Sequence, residues 1–198
     1  MRSVFNFVVK PKGSRKTNVK KVGDKDLILN TDLQDHKYVN RIGVVIGLPQ
    51  DDTSGINVGD EVIVHHNVFR RFYDVRGKEK NSSSYFSEDV YMCSPDQVYM
   101  YKRDGEWKPL EGFCFVKPIR SLNPWTPNEE QPLMGFLKHA DSKLVGMGIV
   151  KNDLVGFTPR SEYEFILGDQ RLYRVYSDDI SIKYECTGHE EEYNPSWT

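Results

Sequence analysis

Apolar residues in this chain come in short blocks separated by turn chemistry. "SVFNFVVKP" (residues 3–11) alternates and stops at Pro11, and "RIGVVIGLP" (41–49) is apolar between Gly43 and Gly47 and stops at Pro49. "GDEVIVHHNVF" (59–69) follows a Gly-Asp turn, while "DVYMCSP" (89–95) and "DQVYMYK" (96–102) flank a Ser-Pro-Asp turn. Strands bounded by such turns at this spacing predict a small barrel or sandwich. No stretch sustains an apolar period of 3.6 residues, so helices are expected to be few and short. Eleven Tyr, ten Phe and three Trp, crowded with β-branched residues in the same blocks, strengthen the all-β reading.

The pattern then starts again. "KRDGEWKPLEG" (102–112) is charged, carries Gly and Pro, and reads as a connection. After it, "GFCFVKPIR" (112–120) echoes "FNFVVKPKG" (5–13), "KLVGMGIVKND" (143–153) echoes "RIGVVIGLPQD" (41–51), and "RLYRVYSDDISIKYE" (171–185) echoes "DVYMCSPDQVYMYKR" (89–103). The two Val-Lys-Pro triplets lie 107 positions apart (9 and 116), whereas Asp96 and Asp178 lie 82 apart. A shrinking offset on a constant order is the mark of an internal duplication whose second copy has shorter loops. The expected organisation is a β-unit over 1–108, a second over 109–186, and a polar tail over 187–198.

Composition bounds the rest. A chain of 198 residues buries roughly 70% of its unfolded surface, enough for a core without staples despite an apolar fraction of 38%. Net charge is −2 with both signs well mixed, which provides no global field for nucleic acid or a membrane. Cys93, Cys114 and Cys186 are an odd, widely spaced set without a CxxC pair and fit a reducing compartment. With no signal peptide or long apolar run in the sequence, a cytoplasmic location is expected.

Candidate chemistry is thin. His65-His66 invites a metal reading, but neighbours on a strand point to opposite faces and cannot readily share an ion. "GHEEEY" (188–193) reads as a frayed acidic tail. No Ser-His-Asp ordering, nucleophile elbow or phosphate-binding glycine loop occurs, so no catalytic residue, metal ligand or cofactor is assigned and an enzyme is not expected. "NVFRRFYDVRGKEKNSSSYF" (67–86) mixes Arg70, Arg71, Arg76, Lys78 and Lys80 with Phe69, Phe72, Tyr73, Tyr85 and Phe86. That interleaving can stack on single-stranded nucleic acid; the favoured reading is a solvated loop whose aromatics pack beneath it, so nucleic acid is not expected as a partner.

One stretch does not fit a plain β-chain. In "GDKDLILNTDLQD" (23–35), Leu27, Ile28 and Leu29 stand together inside a charged segment, too short for a core helix and without strand alternation. Taken with its surroundings, it completes an ordered set: an opening strand ending in Val-Lys-Pro (Phe7 to Pro11), a polar loop carrying an aliphatic tripeptide, Arg41 to Gly47, Val58 to Val64 with its Gly-Asp, and Glu88 to Tyr101 with its Ser-x-x-Asp turn. That order resembles the GroES-type co-chaperonin subunit over nearly all of the first half, and more weakly from Phe113 to Tyr184. Tandem chains of this kind resemble the double-domain co-chaperonin of chloroplasts and the co-chaperonins encoded by some bacteriophages.

The resemblance implies two tandem GroES-like small β-barrels with long loops, self-association into a ring, and a GroEL-type chaperonin ring as partner. It makes 17–38 a mobile loop whose Leu27, Ile28 and Leu29 dock between chaperonin helices, assisting protein folding in the cytoplasm, or the host cytoplasm for a phage-encoded chain. The other reading of the three aliphatics is a strand packed on the unit's own core. The family's roof hairpin has no room in "LPQDDTSGIN" (48–57), and 67–86 is longer than the family's turn. In the second copy, the equivalent loop is expected over 121–142, where Leu133, Met134, Phe136 and Leu137 form either a degenerate docking motif or part of a structural loop stiffened by Pro124, Pro127 and Pro132. A different class of function, a structural or assembly protein such as a virion component without chaperonin binding, uses the same units.

Overall fold

The computed structural model describes residues 3–13, 19–22, 25–28, 39–126, 128–167 and 170–193. The chain is all-β and divides into two compact units, Met1–Trp107 and Lys108–Thr198.

In the first unit the strands are β1 (Phe7–Pro11), β2 (Val19–Val22), β3 (Lys25–Ile28), β4 (Ile42–Gly47), β5 (Glu61–Val64), β6 (Arg71–Tyr73), β7 (Glu79–Asn81), β8 (Tyr85–Ser87), β9 (Val90–Cys93), β10 (Val98–Arg103) and β11 (Glu106–Pro109). Seven of them form one sheet in the order β11-β10-β5-β4-β1-β9-β8, and β2-β3 and β6-β7 are separate two-stranded hairpins. In the second unit they are β12 (Phe113–Arg120), β13 (Glu130–His139), β14 (Leu154–Phe157), β15 (Tyr163–Leu167), β16 (Gln170–Tyr176) and β17 (Ile180–Tyr184), with one short helix α1 (Ser142–Gly146). Their sheet runs β15-β16-β12-β13-β14-β17.

Read from opposite ends, six strands of the first sheet follow the order of the second, and β11 is an addition at one edge. β1 lies between β4 and β9 as β12 lies between β13 and β16, and β5-β10 continue one side as β14-β17 do. Registers agree in detail. Val9 faces Val45 on one side and Tyr91 on the other; Val116 faces Leu137 and Tyr173. A bulge interrupts β1-β4 at Val8/Val9 and β12-β13 at Phe115/Val116. Pro11 stands opposite Gly43, and Pro118 opposite Gly135. Proline offers no N–H to a ladder, and both glycines admit close backbone approach. A Cβ on Gly135 would lie 2.3 Å from the Lys117 carbonyl oxygen, and one on Gly43 would lie 3.2 Å from that of Lys10. A 3-10 turn joins β9 to β10 at Pro95–Gln97 and β16 to β17 at Ser177–Asp179.

This register corrects the middle echo. Residues 143–153 are not a strand: they hold α1 and the turn after it. The counterpart of β4 is β13, ten residues earlier than the apolar pattern suggests, and Leu154–Phe157 matches β5. The pattern misleads because Leu144, on α1, and Ile149, in the turn after it, are apolar for a different reason, packing on the second core. Asp141, almost fully buried, caps that turn by accepting from the Leu144 N–H at 3.0 Å and also accepts the Gly112 N–H at 2.9 Å.

The first core is built around Val8, Val9, Val45, Val62, Tyr91 and Met100, with Phe69 edge-on to Tyr91 at 4.9 Å. The second groups Cys114, Val116, Leu137, Leu144, Val155, Phe157, Tyr173 and Val175. Burial pushes the Cys114 thiol up to about 12 and the Cys93 thiol higher still, so both are packing groups; Cys186 is exposed. Among the described residues, no helix is long and apolar enough to cross a membrane.

Candidate functional site

The first unit departs from its sheet between β1 and β4. At the neck the two chains are clasped: the Lys12 N–H donates to the Ile42 carbonyl at 2.9 Å, and buried Asn40 donates from Nδ2 to the Lys12 carbonyl at 2.8 Å while accepting the Ile42 N–H at 2.9 Å. Lys12 also pairs with Glu61 at 2.5 Å. Beyond this clasp, among the described residues, β2 and β3 form a two-stranded sheet of their own, in the register Val19↔Ile28, Lys20↔Leu27, Lys21↔Asp26 and Val22↔Lys25.

Leu27 and Ile28 therefore sit on a hairpin strand outside the main sheet, inside the 17–38 segment expected as the mobile loop. Leu29, and residues 29–38 generally, lie outside the described residues. The hairpin has a sequence signal: Val19 and Val22 favour extended backbone, and Gly23-Asp24 is a two-residue hairpin dipeptide between the paired Val22 and Lys25.

The second unit makes the same connection, β12 to β13, with residues 121–129 alone. The described residues of this loop are tied by hydrogen bonds. The Ser121 N–H donates to the Glu129 carbonyl at 2.9 Å, the Thr126 N–H to Asn123 at 3.0 Å, the Trp125 N–H to Asn123 Oδ1 at 3.0 Å, and the Leu122 N–H to Gln131 Oε1 at 3.0 Å. It holds Trp125 out at 89% exposure, with Leu122 half-exposed.

Leu133, Met134, Phe136 and Leu137 are not in this loop, which corrects the expectation of a loop over 121–142. They form the middle of β13, paired on both sides with β12 and β14. Leu137 is fully buried, and Leu133 packs on the same core. Leu133 does so at φ 58, a left-handed conformation that costs a branched residue about 1 kcal/mol or more and that packing must offset. Gly135 does not break an apolar motif; it lets β12 and β13 approach closely. The apolar side chains this connection displays are Leu122 and Trp125.

The basic-aromatic stretch is not an open loop either. Arg71 pairs with Asn81, Phe72 with Lys80 and Tyr73 with Glu79, and Arg71 and Glu79 form an ion pair at 2.7 Å. Asp74 closes the tip by accepting the Arg76 and Lys78 N–H groups at 2.9 Å each; these bonds, that of Lys78 above all, hold its carboxyl below the usual range. Phe69 is buried, as expected of an aromatic beneath the stretch, whereas Phe72, Tyr73 and Phe86 are exposed and Val75 is fully so.

His65 and His66 follow β5 rather than lie in it. Their rings stack at 4.3 Å between centroids, and His65 Nδ1 accepts the Asn67 N–H at 3.0 Å. Among the described residues no group of three or more His, Cys, Asp or Glu side chains is arranged to hold a metal ion. The acidic segment is pinned rather than frayed up to Tyr193: Glu192 bridges Ile119, and Lys138 pairs with Glu192 at 2.5 Å. Residues 194–198 lie outside the described residues.

No protein-family model matches this chain, and no curated protein shows significant sequence similarity to it.

Proposed function

We propose that the chain is a tandem co-chaperonin: two GroES-like barrels that assemble into a ring and cap a GroEL-type chaperonin, with no chemistry of their own. The observation that carries this reading is the clasped excursion between β1 and β4, which puts Leu27 and Ile28 on a hairpin paired with nothing in the seven-stranded sheet. Its position, between the first and second strands of the unit, is that of the docking loop in the family the sequence resembles. The repeated strand order supports the tandem part, and the long insertion in one unit alone supports docking by the first.

The energetics suit a reversible cap. Burying an aliphatic side chain in a partner groove yields roughly 1.5–3 kcal/mol, against about 1–2 kcal/mol for each loop residue that must be ordered. A hairpin already paired before docking lowers that cost. Each loop then binds weakly, and a ring of them binds tightly through multivalency while still permitting release. Ring closure uses one repeated contact between neighbouring copies, with edge strands as the available surface.

The test is capping by the intact chain and by its Ile28→Asp variant, read by sedimentation with a GroEL-type chaperonin and nucleotide. Wild type is expected to co-sediment and the variant not to, with unchanged thermal unfolding of the free protein. Wild-type chain that stays monomeric at tens of micromolar and never binds the chaperonin would leave the rival, an assembly protein on the same sheets, as the better account.

A further inference from the structure

The segment 187–193 occupies a place that a strand would fill. On one flank, β16 pairs with β12 over Phe113–Val116 and no further. On the other, β13 follows β12 to Arg120. Beyond those pairs, residues 191–193 enter the flank opposite β13 as a short antiparallel strand against Pro118–Arg120. The Arg120 N–H donates to the Glu191 carbonyl at 2.8 Å, Glu192 bridges Ile119, and the Tyr193 N–H donates to the Pro118 carbonyl at 2.8 Å.

Side chains read the sequence of this strand. Lys138, on β13, pairs with Glu192 at 2.5 Å, and the Glu192 charge also acts on buried Lys117. Arg120 Nε lies 3.6 Å from Glu191. The Tyr193 hydroxyl donates to the Asn128 carbonyl at 3.0 Å, and the Arg171 guanidinium stands 6.0 Å over its ring.

What holds the segment there is confined to residues 191–193. Among the described residues it has two backbone hydrogen bonds to β12, the Lys138–Glu192 pair and the Tyr193 contacts, and its Arg120–Glu191 pair is largely exposed. It arrives through Glu185–His189, which is exposed throughout. The hydrogen bonds there close a local turn, from Thr187 N and Oγ1 to Glu190 Oε1 and from Gly188 N to Glu190 Oε2. A short strand on an exposed tether can leave without disturbing the sheet it covers.

We propose that the flank of β12 at Pro118–Arg120, with Arg120 and Lys138 beside it, is a strand-addition site for an extended acidic segment of a partner protein, and that residues 191–193 hold it closed. The ligand class follows from the resident strand: backbone pairing supplies affinity without sequence preference, while two adjacent carboxylates and a following aromatic residue supply the specificity. The site lies on the second unit and does not depend on the chaperonin reading.

The experiment uses the full chain, wild type and E191K/E192K, with a fluorescein-labelled peptide of residues 187–193 as the probe. The double variant sets like charges against Arg120 and Lys138 and releases the strand. It is expected to bind the peptide at least tenfold more tightly than wild type, which its own segment blocks. Lys138→Ala in the double-variant background is expected to remove the binding, as is a peptide with its three Glu replaced by Gln. Equal binding by wild type and double variant, or by the Gln peptide, overturns the proposal. So does a wild-type dimer that the peptide dissociates, because the occupant would then be a second copy. Should the double variant not fold, amide exchange in the wild type decides: the Arg120 and Tyr193 amides are expected to exchange at least tenfold faster than that of Val116, and equal protection overturns the strap.

Discussion

Two units with one strand order treat the step from their first strand to their second in opposite ways. The first leaves the sheet after β1, is clasped by Asn40 and Lys12, and builds a separate hairpin before returning at β4. The second turns at once through residues 121–129, whose described residues are tied by hydrogen bonds, and sends Leu133 and Leu137 into the core from β13. The first connection thus carries a hairpin outside the sheet and the second is a short loop, while the strands that follow agree: Leu137 in β13 matches Val45 in β4, and both are buried. A sheet needs only the return of the chain at the right register, so the length and content of this connection are free to diverge once the ladder is fixed.

The sharpest break of that comparison pairs one substitution from each unit. Ile28→Asp is expected to abolish chaperonin capping, because docking would desolvate a charge on every loop of the ring, a cost of several kcal/mol each. Thermal unfolding should not change. Leu137→Ala is expected to do the reverse, costing roughly 2–5 kcal/mol of stability in the second unit. A large drop in melting temperature with Ile28→Ala would make the hairpin part of the core and remove the contrast.

A second test uses the paired glycines. Gly135→Ala sets a methyl group against the Lys117 carbonyl and Val116 Cγ1, both under 3 Å, and should cost about 1–3 kcal/mol. Gly43→Ala meets the Phe69 ring at 3.1 Å and Lys10 at 3.2 Å and should cost less, about 1 kcal/mol, since a ring edge can shift. Denaturant unfolding of both variants measures the difference; equal costs would mean the two ladders are packed alike.

Asn40→Ala tests the clasp. Removing a buried partner of Lys12 and Ile42 should cost about 1–3 kcal/mol and speed proteolysis within 13–38. Cleavage unchanged in rate would show that the neck holds without it.

The smallest effect is a pH dependence. Asp74 has its folded pKa held below the ordinary 3.8, so its contribution to the β6-β7 turn is complete above that value and is lost as pH falls through the folded one. The Arg76 and Lys78 amides should begin to exchange faster only in that acid range. Glu190, lowered to about 2 by its bonds to Thr187, should release the turn before the strap over the same direction of pH, between about 4.5 and about 2. Loss of either turn near neutrality would contradict these hydrogen bonds.

The sequence by itself determined the class and the repeat. Alternating blocks ended by Pro and Gly favour strands, and the two Val-Lys-Pro triplets with Asp96 and Asp178 mark the same places in both units because turn and bulge chemistry is local. It also displayed the odd aliphatic run at Leu27 to Leu29. Tertiary structure decided the rest. An apolar block at 143–153 is equally consistent with a strand or a capped helical turn, and only the ladder from β12 to β13 chooses. Leu133 to Leu137 read as a motif broken by glycine until Gly135 is found against Lys117. Lys10 and Lys117 occupy the same place in the same triplet, yet one is exposed and the other wholly buried, with its pKa pushed down by that burial. Nothing local distinguishes them, because burial belongs to what packs against a residue and not to the residue's neighbours in the chain.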